Sequence, residues 1–131
     1  MQNIKPIIFV VDDDLGFQSM MDDYLAKSSA YDIRVFSTGE DCLDHLYLFP
    51  EVIILDYHLD GIIGEAENGL VILQKIKEAS PDTPVIMLSS QDKFGVAAQM
   101  IMKGAYGYIV KDEEAFEKAG MMLQELLAKG D

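Results

Sequence analysis

Ile7-Ile8-Phe9-Val10-Val11-Asp12-Asp13-Asp14 is the stretch on which the fold of this chain turns. Five consecutive apolar residues suit a strand buried on both faces, as in a parallel sheet covered by helices. Three carboxylates follow at once, where such a strand would end. No glycine-rich turn stands there, neither G-x-G-x-x-G nor a Walker A loop, so a backbone cradle for pyrophosphate is missing. Carboxylates in that place repel phosphate unless a cation intervenes.

Working outward, residues 33–36, 52–55, 85–89 and 106–110 read as further short strands, the last interrupted by Gly107. Helical periods separate them. Phe17, Met20, Met21, Tyr24 and Leu25 fall at helix spacing behind Asp13 or Asp14 as a cap. Ser37-Thr38-Gly39-Glu40 reads as a capping box opening a helix with Leu43, Leu46 and Tyr47, stopped by Pro50. Leu70, Leu73 and Ile76 mark a third helix, and Phe94, Ala97, Ala98 and Ile101 a fourth. Phe116, Ala119, Leu123 and Leu127 mark the fifth, in spite of Gly120. Strands alternating with helices predict one α/β domain over residues 1–131, its parallel sheet covered on both faces.

Composition narrows the function. The chain has 131 residues, half of them hydrophobic, which is enough for a real core. With 23 acidic and 10 basic residues the formal net charge is −13, so no direct grip on nucleic acid is expected. A cation, or a partner with a basic face, suits that surface. A single cysteine, Cys42, excludes an internal disulfide and reads as a half-buried helix residue. No apolar run is long enough to span a membrane, and Met1 to Pro6 lacks the apolar stretch of a signal peptide. A cytoplasmic location is expected.

Ligands of a doubly wound sheet sit beyond the carboxyl ends of its strands. Those ends carry Asp12-Asp13-Asp14, Asp56, Ser89-Ser90 and Lys111. Clustered carboxylates are costly to hold ionised together, and a hard divalent ion such as magnesium relieves the cost. Phosphoryl transfer asks for positioning, charge neutralisation and an in-line nucleophile. A carboxylate is a competent nucleophile, giving an aspartyl phosphate. A lysine ammonium and a serine hydroxyl are suitable contacts for phosphoryl oxygens.

The segments Val10-Val11-Asp12-Asp13, Ile53-Ile54-Leu55-Asp56, Met87-Leu88-Ser89-Ser90 and Gly104-Ala105-Tyr106-Gly107-Tyr108-Ile109-Val110-Lys111 together resemble the response-regulator receiver domain. The likeness runs from about Pro6 to Leu127, with four motifs in order. It implies a flavodoxin-like (βα)5 fold whose five-stranded parallel sheet has the order 2-1-3-4-5, an order taken from the resemblance and not from spacing. It also implies roles. Asp56 accepts the phosphoryl group, Asp12 and Asp13 ligate Mg2+, and His58 lends its backbone carbonyl to the metal. Ser89 and Lys111 contact the phosphoryl oxygens. Tyr108 resembles the switch aromatic that turns inward when Ser89 moves. The donor implied is a histidine kinase or a histidine phosphotransfer protein, and the output passes through the surface of the fourth helix, fifth strand and fifth helix. That surface serves a homodimer or a downstream output domain. The domain is expected to be a switch and not an enzyme acting on an external substrate.

The sequence departs from the receiver pattern in places. Asp112 replaces the usual proline after the lysine, which favours a trans peptide and offers a cap for the last helix. Asp60 stands where proline is frequent, and the following segment to Gly69 is long. His58 and Gln91 occupy positions that in the family tune phosphoryl loss. His45 reads as structural, and Met100, Met102, Met121 and Met122 mainly as core filling.

Three other readings are weaker. A magnesium-dependent aspartyl-phosphate hydrolase would carry D-x-D-x-T, yet two residues after Asp56 stands His58. A degenerate receiver kept only for docking would lack the aspartates or the lysine. A flavin or nucleotide domain needs the phosphate loop that is absent.

Overall fold

The computed structural model describes residues 4–58, 69–90 and 94–128. Five parallel strands form one sheet, β1 (Ile7–Val11), β2 (Asp32–Phe36), β3 (Val52–Asp56), β4 (Val85–Ser89) and β5 (Gly107–Val110). Their spatial order is β2-β1-β3-β4-β5, as the resemblance implies. The helices are α1 (Leu15–Ala26), α2 (Gly39–Asp44), α3 (Gly69–Ala79), α4 (Phe94–Met102) and α5 (Ala115–Ala128).

Alternation along the strands sorts the core into two layers. Phe9, Val11, Ile53, Leu55, Val85 and Met87 face one side, where Cys42, Ile72, Leu73, Ile76 and Met100 from α2, α3 and α4 cover them. Ile8, Val10, Val52, Ile54, Ile86, Leu88 and Ile109 face the other, under Met21, Leu25, Ala115, Ala119 and Leu123 of α1 and α5. Both layers are required because β3 and β4 are buried at every residue.

Several local expectations shift. The cap of α2 is Thr38, whose side chain accepts from the Asp41 N–H at 3.0 Å; Ser37 is not the cap, because the helix starts one residue later. That helix ends at Asp44, so Leu46 and Tyr47 lie in a 3-10 turn (Leu46–Leu48). Phe49, at φ 57°, has already left the right-handed region, which a residue before proline avoids. On α1 the buried stripe is Gln18, Met21 and Leu25, while Met20 is 58% exposed. On α4, Met100 and not Ile101 enters the core; Ile101 is 48% exposed. Met102 and Met121 are exposed as well. Cys42 is fully buried, and burial, helped by the charge of Asp41, pushes its thiol up to about 12.

Other expectations hold. Asp14 caps α1 by accepting the Phe17 N–H. His45 is structural: its ring lies between Phe36 and Tyr47, and its Nδ1 donates to the Asp41 carbonyl at 2.7 Å. The Lys111–Asp112 peptide is trans. Asp112 does not cap α5, which starts three residues later at Ala115; it shapes the turn before the helix instead, its Oδ1 accepting the Glu114 N–H at 2.9 Å and its carbonyl the Ala115 N–H.

Gly39 marks a close contact between α2 and α3. A Cβ there would collide with Cγ1 and Cδ1 of Ile72, which is fully buried and has no room to turn away. Alanine is the better helix former by about 1 kcal/mol, but overpacking costs about 1–3 kcal/mol. Gly39→Ala is therefore expected to lower stability by up to about 2 kcal/mol, read as a lower urea midpoint with unchanged slope. A higher midpoint would show that Ile72 yields freely.

Candidate functional site

β1 and β3 are neighbours at the point where the sheet order reverses, with Val11 paired to Leu55. The next residue on each strand is an aspartate, so Asp12 and Asp56 emerge side by side in the crevice where such folds bind ligands. Asp12 is fully buried, Asp56 is 1% exposed and Asp13 stands at the rim. Carboxylate oxygens of all three lie within 4.8 Å of one another.

Each buried carboxylate is partly held by the loop it starts. Asp12 Oδ1 accepts the Asp14 N–H at 2.9 Å, and Asp56 Oδ1 accepts the His58 N–H at 3.2 Å. Asp12 Oδ2 accepts no hydrogen bond although it is buried. Lys111 Nζ approaches it to 2.8 Å without hydrogen-bond alignment, and lies 3.4 Å from Asp56 Oδ1. Among the described residues the Lys111 ammonium is paired with two of the three carboxylates, Asp12 and Asp56.

The electrostatics reflect this. Burial, then the charge of Asp12, pushes the Asp56 carboxyl up to about 7, against the opposing pull of Lys111 and the His58 N–H. Burial works against the Lys111 ammonium, but its contact with Asp12 and the charges of Asp56 and Asp12 prevail and hold it above the usual lysine value.

Ser89 is buried at the end of β4, and its carbonyl accepts the Lys111 N–H at 2.8 Å, tying the last two strand ends together. Tyr108 is half-buried on β5, paired in register with Met87. With Ala97, Ala98 and Ile101 of α4 it lines an apolar groove of about 210 Å³. Asp12, Asp13, Asp56 and Lys111 thus come together, while Tyr108 lines the groove against α4. Gln91, Asp60 and the long segment that follows it up to residue 68 lie outside the described residues.

Sequence reading missed three contributors. Gln18 is 7% exposed and its Nε2 donates to the carbonyls of Asp12, at 3.2 Å, and Phe36, at 3.0 Å. This pins the ends of β1 and β2 together. A polar residue inside the 18-21-25 stripe was the available signal. Gly69, the first residue of α3, donates to the Tyr57 carbonyl at 2.9 Å and lies flat on the end of β3. Phe17 was read only as core, yet its ring centroid sits 4.7 Å from Lys111 Nζ.

The model for the response regulator receiver domain matches residues 8–119. The chain belongs to the receiver family. Among curated relatives, the DNA-binding transcriptional regulator NtrC of Rhizobium meliloti is 30% identical over 115 residues. The match covers 88% of this chain and 23% of that regulator, so the receiver spans under a quarter of its relative's length. The BeF3-activated receiver domain of DrrB, a Thermotoga maritima response regulator, superimposes with TM-score 0.80 at 26% identity, covering 95% of this chain and 99% of that one. The receiver domain of NtrX from Brucella abortus gives TM-score 0.81 at 26% identity, covering 92% and 98%. Receivers bind Mg2+ at an acidic pocket, and the Asp12–Asp13–Asp56 crevice of this receiver has the hard oxygen donors such an ion prefers. Asp12 Oδ2 is buried, accepts no hydrogen bond and has the Lys111 ammonium beside it, so it is an oxygen suited to a cation. No helix among the described residues is long and apolar enough to cross a membrane.

Proposed function

We propose that this receiver is a phosphorylation switch in which Asp56 takes a phosphoryl group from a phosphohistidine donor, a histidine kinase or a histidine phosphotransfer protein. The observation that carries the reading is the clustering of three carboxylates at the ends of β1 and β3, two of them, Asp12 and Asp56, paired with the lysine that follows β5. Asp12, Asp13, Asp56 and the His58 backbone carbonyl would hold Mg2+. Bound there, the ion neutralises charge on the carboxylates and the incoming phosphoryl oxygens.

An Asp56 oxygen attacks phosphorus as the bond to the donor imidazole nitrogen breaks. The nitrogen leaves with the electron pair and takes up a proton from solvent. Lys111 follows the transferred charge, its ammonium contacting one phosphoryl oxygen, and the Ser89 hydroxyl contacts another. Attack of water on phosphorus later returns the carboxylate and inorganic phosphate. No external substrate is turned over.

Movement of Ser89 empties space that the Tyr108 ring enters, which repacks β5 against α4. The size of the response is bounded by the difference in stability of the phosphorylated protein between the two arrangements. The exposed Ile101, Met102 and Tyr106 on that side suit a second copy or an output domain, in the cytoplasm.

Intact mass measurement after incubation with phosphoramidate and Mg2+ tests the reading. Wild type gains one hydroxylamine-labile phosphoryl group, and Asp56→Asn gains none at that position. Labelling that persists unchanged in EDTA contradicts the metal role of Asp12 and Asp13. An unaltered exposure of Tyr108 after labelling removes the switch.

A further inference from the structure

Lys111 has a long way to reach. It leaves β5, which stands two strands from β3 and three from β1 in the sheet. Strands are about 4.8 Å apart, so the gaps to be crossed are roughly 10 and 14 Å. A lysine stem is flexible, and an ammonium at its end is free to swing into water. Yet its side chain is only 14% exposed and its Nζ is seated between Asp12 and Asp56.

Beneath that ammonium lies the ring of Phe17, its centroid 4.7 Å from Nζ. The ring is itself held. Its backbone N–H is bound by Asp14 Oδ1 at 3.2 Å, within the acidic loop that also carries Asp12. On its far side it stacks on Phe116 with centroids 5.1 Å apart and planes 29° from parallel. Phe116 stands on the first turn of α5, directly after the turn closed by Asp112, and Tyr24 extends the row at 6.0 Å. The two rings therefore stand on the first turns of the helices that follow the acidic and the basic halves of the crevice.

A ring face attracts a cation without taking a hydrogen bond. It steadies Lys111 while leaving all three of its N–H bonds for oxygens. Leucine at position 17 would fill the same layer but offers no quadrupole, either to the Lys111 ammonium or to the Phe116 ring.

We propose that Phe17 is a positioning residue for phosphoryl transfer, its ring face holding the Lys111 ammonium at the Asp12–Asp56 pair. The inference rests on the reading of Lys111 as a phosphoryl contact.

Fluorinated phenylalanines test it, because they keep the shape of the ring while weakening its face step by step. With mono-, di- and trifluorinated rings at position 17 of the full chain, the rate of Asp56 labelling by phosphoramidate in Mg2+ is expected to fall in that order. The trifluorinated form should be about three- to tenfold slower than wild type, the span of a partly desolvated cation–π contact. Phe17→Leu should match it and Phe17→Trp should restore the rate. In a Lys111→Ala background the series should be flat. A flat series in the wild-type background overturns the role of Phe17. If Lys111→Ala itself labels at the wild-type rate, the reading of Lys111 fails first, and the two failures are thereby told apart.

Discussion

Gly69→Ala is expected to destabilise the receiver by about 2–4 kcal/mol and to slow phosphoryl labelling of Asp56 more than tenfold, at the upper end of what overpacking does. The added methyl would meet backbone and not a rotatable side chain. It would stand 2.6 Å from Tyr57 Cα and 2.9 Å from the Tyr57 carbonyl oxygen, and closer still to the Asp56 carbonyl. Neither partner can retreat. β3 is buried at every position between β1 and β4, and Ile72, Leu73 and Ile76 lock α3 onto it. The strain must then fall on the junction at residues 56–58, where the proposed phosphoacceptor and its His58 N–H contact sit. Urea denaturation reads the first effect and mass-detected labelling the second. A variant as stable and as readily labelled as wild type would refute the close approach of α3 to the strand end.

Asp56→Asn is expected to stabilise the metal-free receiver at pH 8, by about 1–3 kcal/mol, while making little difference near pH 4. Burial, followed by the charge of Asp12, raises the folded-state value of Asp56 from 3.8 to about 7. Between those values the folded protein binds a proton that the unfolded chain does not, so stability falls as pH rises. The contribution of Asp56 is complete below about 3.8 and is lost as pH passes through about 7. Asparagine cannot ionise and removes this slope. Magnesium should shrink or reverse the difference at pH 8, since an ion bound only by the folded wild type stabilises it by mass action. Parallel stability–pH curves for the two proteins would show that Asp56 is not the strained group.

Much of the architecture was readable before any coordinates. Ile7–Val11 and Val85–Ser89 are strands over the expected spans, and the central runs were plain because burial on both faces of β3 and β4 leaves no polar alternation to disguise them. The carboxylates after the first and third runs could be placed at strand ends, and Lys111 beyond the fifth. Helix faces were less legible. Met20 and Ile101 read as core by spacing yet are exposed, since in short helices a stripe one residue to either side fits the periodicity almost equally well. The cap of α2 shifted from Ser37 to Thr38 for a related reason: two adjacent hydroxyl residues each satisfy the pattern, and only the final path of the chain selects one.

By itself, then, the amino-acid order determined the class of fold, the succession of strands and helices, and the acidic and basic groups available at the strand ends, because all of these follow from local hydrophobic runs and from what stands next to them. Tertiary structure alone decided that Asp12 Oδ2 is left without a hydrogen bond, that Gln18 joins the ends of β1 and β2, that Gly69 must lack a side chain, and that an aromatic ring lies under Lys111. Those contacts join residues that are distant along the chain or set in loops with no periodicity, and their energies exist only once the sheet has brought the strand ends to one side.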